Sequence, residues 1–192
     1  MKINKKFVLL TACVIIMGLL FNTDFAKAQE KDPVKKANIA NEEKAKIYKV
    51  DEDIADFLVK SADARMMDSK EGKLAIEKGT TASIRKYGQL MVKDQAEMLE
   101  KIKRLALKHQ ITLPTGISDK KEDGREDLAE KTGDDFDKKF IKMMIKDHER
   151  DVKLFKNALD YKDEAVKLFA NEYLPMIQSH LDKINEIKTA SN

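Results

Sequence analysis

Between two long helix-patterned segments lies ITLPTGISDKKEDGREDLAEKTG, residues 111–133. It holds one proline, three glycines and many charges, and it is far too long for a tight turn. Long connections in small domains usually cross the molecule or carry function. A chain of this length can return along an element about 40 Å long. The spacing therefore predicts that the helices before and after it run parallel. One short helix is expected within it, around Glu126–Lys131.

The flanking segments share one grammar. Apolar residues recur at about 100° per residue over 51–78, 82–110, 134–160 and 163–188. Asp51 and Thr81 stand where helix N-caps belong. Gly79 is read as a left-handed stop to the first long helix. Pro175 is expected to bend the last one near Asn171, because it lacks an N–H and crowds the preceding turn. No run alternates with period two, so no strand is expected. Hydrophobic residues make up 42% and charged residues 37% of the 192-residue chain, which suits helices with one buried stripe and charged outer faces. Four such helices bury their stripes in a bundle. The connections run short, long, short. The expectation is an all-α, ferritin-like four-helix bundle over residues 51–190, with a long crossover between its second and third helices. Residues 29–50 read as a polar linker or short helix.

The stripes are interrupted. In MMIKDHERD, residues 143–151, Asp147, His148 and Asp151 fall on or beside apolar positions. The other helices contribute Asp68, Gln95 and His180. In a crossover bundle, counting rise per residue puts Asp68 and His180 at about 15 Å and Gln95 and His148 at about 20 Å from one end. A buried polar layer of Asp68, Gln95, Asp147, His148, Asp151 and His180 is expected. It has two readings. The plain one is a self-satisfied hydrogen-bond cluster that binds nothing. The sharper one is a transition-metal site for Zn or Fe, with Asp68, His148 and His180 as ligands. His109 reads as a solvated residue at a helix end. The methionines read mostly as core fillers rather than thioether ligands.

Several chemistries are excluded. A di-iron bundle enzyme needs Glu-x-x-His pairs. Three residues before His109, His148 and His180 stand Ala106, Ile145 and Ile177. No serine elbow or phosphate-binding glycine loop occurs. No enzyme activity is expected.

The N-terminus reads as a secretory signal over residues 1–28. MKINKK is basic, FVLLTACVIIMGLLF is apolar, and AKA (Ala26–Ala28) is a small-x-small cleavage site before Gln29. The alternatives are an uncleaved anchor or a lipid-modified Cys13 within LTAC. The first 28 residues carry four lysines and one aspartate. Without them the chain is neutral, so the basic footprint of a nucleic-acid binder is missing. The mature chain has no membrane-spanning segment in this reading. The expected location is the periplasm, the outer-membrane surface or the medium. Its partner is an envelope protein or a second copy, unspecified by the sequence.

GKLA (Gly72–Ala75), KGTTASIRKYGQLMVKDQ, FDKKFIKMMIKDHERDVKLFK and LFANEYLPMIQSHL occur in that order. Together they resemble the bacterial exported family called domain of unknown function 4142, across about residues 50–188. The resemblance implies a ferritin-like bundle, and no agreed activity comes with it. Two positions depart from the family's tendency. Asp68 stands where a glutamate is usual, and Asp94-Gln95 stands where Asp-His is usual.

Overall fold

A computed structural model of the chain describes residues 30–191. The expected signal segment lies outside the described residues. Among the described residues six helices follow in order: α1 (Pro33–Tyr48), α2 (Glu52–Lys78), α3 (Ala82–Lys108), α4 (Asp119–Glu130), α5 (Gly133–Ala158) and α6 (Glu164–Ala190). No strand occurs among the described residues.

The caps form as their side chains dictate. Asp51 accepts from the N–H groups of Asp53 and Ile54, Thr81 from that of Ile84, and Asp163 from that of Val166. Each satisfies donors that the first helical turn leaves free. Helical geometry continues through Pro175 to the end of α6. Gly79 corrects its expectation. It is not left-handed but has φ −59° and ψ 128°. Glycine is required there for space, because a Cβ would lie 2.6 Å from the Ala75 carbonyl oxygen and 2.7 Å from Ile84 Cγ2.

The apolar core falls into two clusters. One combines the starts of α2 and α6 with the ends of α3 and α5, around Phe57, Ile102, Phe155 and Phe169. The other combines the end of α2, the starts of α3 and α5, and the end of α6, around Ala75, Tyr87, Phe136 and Ile184. This arrangement makes α3 and α5 parallel. The long connection therefore crosses the bundle from end to end, as its length requires.

α2 and α3 meet closely at two glycines. A Cβ on Gly88 would lie 2.5 Å from the Gly72 carbonyl oxygen, and one on Gly72 would lie 2.8 Å from that of Gly88. Only hydrogen side chains allow this approach.

The connecting helix α4 starts earlier than the expected Glu126 and anchors through Leu128, which is fully buried. Lys121 pairs with Asp63 at 3.2 Å and Lys70 with Glu122 at 3.3 Å, fixing α4 along α2. The segment before the bundle is ordered as α1. Buried Asn41 donates to the Thr112 carbonyl at 2.9 Å and accepts from the Thr112 N–H at 2.7 Å. This reciprocal pair ties α1 to the start of the crossover.

Candidate functional site

The two apolar clusters leave a gap at one level of the bundle. On α2 it falls between Ala62 and Ala75, on α3 between Met91 and Met98, on α5 between Met144 and Val152, and on α6 between Ile177 and Ile184. Most of the buried polar residues of the four long helices lie in that gap. Buried there are Arg65, Asp68, Glu71, Gln95, His148, Asp151 and His180, none more than 1% exposed.

Arg65 is the centre. Its guanidinium is wholly buried. One terminal nitrogen donates to Asp151 Oδ2 and lies 3.3 Å from Asp68 Oδ2. The other donates to Met98 Sδ at 3.5 Å. Burial pulls its proton affinity down, and Asp68 opposes that. The sequence pattern placed Arg65 on the stripe without assigning it a role. A long apolar stem normally lets such a residue snorkel to water. Here both ends stay inside.

Asp68 and Glu71, three residues apart on α2, converge with Asp147 of α5. One oxygen from each lies within 4.8 Å of the other two. Both oxygens of Asp68 and both of Glu71 are buried without a hydrogen-bond donor from the described residues. For Asp68 the nearby Arg65 nitrogen is within ion-pair reach but does not meet hydrogen-bond geometry. Burial, with Asp68 and Asp147 adding to it, pushes the Glu71 carboxyl well above the usual carboxylate range. Asp147 is also raised by burial, against an Arg150 ion pair at 2.8 Å. Asp147 and Asp151 line a groove of about 660 Å³ between α2, α4 and α5, where Lys121 and Arg150 also stand. That groove gives solvent access to Asp147 and Asp151, while Asp68 and Glu71 lie outside its lining.

The histidines form a second group. The rings of His148 and His180 lie 5.6 Å apart at 72°. His148 Nδ1 bonds the Met144 carbonyl at 2.9 Å, and His180 Nε2 bonds Asp94 Oδ2 at 2.9 Å. Burial depresses both to a pKa of about 4, so both rings are neutral at pH 7. Tyr87 packs edge-on against His148 and donates to the His180 carbonyl at 3.2 Å. Gln95 donates to Met91 Sδ at 3.6 Å and leaves its own oxygen without a donor.

The expected ligand trio is thus split. Asp68 stands with Glu71 and Asp147, while His148 and His180 stand with each other and Asp94. Glu71 is not among the residues expected in the polar layer. Its burial comes from α5 and from α4, whose packing no local pattern announces. Asp94 was visible only as an edge residue. Met91 and Met98 do more than fill space, since both sulfurs accept hydrogen bonds. His109 corrects its expectation. It is 17% exposed and lies 3.5 Å from Asp163 Oδ1, because the end of α3 abuts the start of α6.

A search of curated proteins returns no match. Among solved structures, the chain resembles the crystal structure of a DUF305 fragment from Deinococcus radiodurans. The TM-score is 0.64 at 12% identity, over 72% of this chain and 96% of that one, a likeness of fold alone. Residues 34–187 match the model of the family described as Domain of unknown function (DUF4142), and the chain belongs to that family.

Proposed function

We propose that this protein is an exported, non-enzymatic helical bundle that holds a divalent cation on Asp68, Glu71 and Asp147. One observation carries the reading: three carboxylates converge within 4.8 Å, and the four oxygens of Asp68 and Glu71 are buried with no donor among the described residues. An ionised carboxylate without a partner is among the costliest groups to bury. Arg65 is engaged by Asp151, and Arg150 by Asp147. A divalent cation would supply the charge that Glu71 lacks and that Asp68 has only in part, from an Arg65 already bonded to Asp151. An all-oxygen donor set suits Mn²⁺, Mg²⁺ or Ca²⁺ more than thiophilic ions.

The test is thermal melting of the mature chain in chelator and then with each of these ions. Wild type should gain about 5–10 °C at a concentration one hundred times Kd. Glu71→Gln should gain nothing, and in chelator it should melt no lower than wild type, since it removes a buried ionisable group. No gain with any ion would defeat the proposal and leave a purely structural charge cluster.

Export rests on the pattern of residues 1–28, and no helix among the described residues is long and apolar enough to cross a membrane. Expression of the full gene in a Gram-negative host should yield a periplasmic product beginning at Gln29. A product that keeps Met1 in the cytoplasm would overturn export.

A further inference from the structure

The carboxylate site leaves His148 and His180 unused, and they have the features of a nitrogen site. Each ring has one nitrogen fixed by an acceptor: the Met144 carbonyl for His148, and the Asp94 carboxylate for His180. That bond selects the tautomer and leaves the other nitrogen as a bare lone pair. The bare atoms are His148 Nε2 and His180 Nδ1, and both are buried with no partner from the described residues. Metal-binding histidines commonly show this arrangement, with the far N–H held by a carboxylate or backbone carbonyl.

The separation fits as well. With a metal–nitrogen bond of about 2.1 Å, an ion stands about 3.2 Å from each ring centre. Two rings sharing it then lie about 5.2 Å apart for a tetrahedral angle and about 6.4 Å apart for a linear one. The observed 5.6 Å lies inside that range. Gln95, next to Asp94 on α3, adds a buried amide oxygen that also lacks a donor. Nearby Arg65 would oppose a cation, but Asp151 and Asp68 flank its guanidinium.

We infer that His148 and His180 form a second cation site, distinct from the carboxylate site, that takes a borderline or soft transition ion such as Zn²⁺ or Cu⁺. Imidazole nitrogen suits these ions, whereas the carboxylate trio suits harder ones. Asp94 acts as a positioning residue, and its partial exposure, 15%, places it on the solvent side of the pair.

The site can be read without any activity, from the ring-nitrogen NMR signals of the mature chain during titration with Zn²⁺ and, under reducing anaerobic conditions, Cu⁺. The bare nitrogens of His148 and His180 should move together, at one equivalent, from the unprotonated to the metal-bound range. The same shifts should appear in Glu71→Gln, which disables the carboxylate site, so the two sites can fail separately. Asp94→Asn should weaken Zn²⁺ binding about 10- to 100-fold, as loss of such a second partner does. His180→Gln should abolish the His148 shift. Ring signals unmoved by both ions would overturn the inference and leave a bridging water as the partner of both nitrogens. Shifts of only one ring would overturn it too, since the site requires both.

Discussion

Arg65→Ala should destabilise the protein by about 3–5 kcal/mol, a third or more of the stability of a typical domain. The effect does not measure the worth of the ion pair. Taking the guanidinium away leaves Asp151 and Asp68 buried, negative and without their cation. It also opens a cavity where a side chain of zero exposure stood. Chemical denaturation at neutral pH measures the loss. A companion variant separates the causes. Arg65→Met with Asp68→Asn and Asp151→Leu removes all three charges and keeps volume, and such exchanges are often neutral or stabilising. It should recover most of the lost stability. A single variant within about 1 kcal/mol of wild type would show that water reaches the layer and that Arg65 is not its centre.

Gly88→Val should cost about 3 kcal/mol or more, and it sets two effects against each other. Helix propensity favours replacement, since glycine in a helix interior is about 1 kcal/mol worse than alanine. Packing forbids it. A Cβ at Gly88 would stand 2.5 Å from a backbone oxygen and 2.9 Å from the Ala75 Cβ, and neither can rotate away. The helices must separate, and overpacking of this kind typically costs 1–3 kcal/mol before the extra methyls of valine are counted. Denaturant unfolding of Gly88→Ala beside Gly88→Val gives the sign. A gain in stability for either would mean that the α2–α3 contact is looser than the structure places it.

The fold was largely legible because its determinants are local. Stripe periodicity, two acceptor caps and one connection length suffice to place α2, α3, α5 and α6 and to make α3 and α5 parallel. What escaped was decided by distant packing. α4 is strongly polar with one anchor, Leu128, so its composition resembles a loop. α1 is held by a side chain–backbone exchange with Thr112, more than seventy residues away. In the site, Asp68, Gln95, His148, Asp151 and His180 announce themselves by breaking apolar stripes. Arg65 holds a stripe position without showing a role, and Glu71 breaks no stripe, because a charged residue near a helix edge looks the same whether or not another helix covers it. The division of the layer into a carboxylate group and an imidazole group was beyond the sequence. Rise per residue gives height along the bundle but not which way each side chain turns.

The charged layer also bears on the order in which the chain folds. α2 with α3, and α5 with α6, are helix pairs joined by short turns, which local contacts form quickly. Within the layer, Arg65 to Asp151 and His180 to Asp94 are among the bonds that join one pair to the other, each spanning 86 residues. During synthesis the first pair emerges with its arginine facing Asp68 alone, and Asp151 joins it only when the second pair arrives. A docking slid by one turn, or upside down, would press that arginine against phenylalanines. Because an unpaired buried charge is costly, the layer favours the one alignment of the two pairs that brings Asp151 to Arg65.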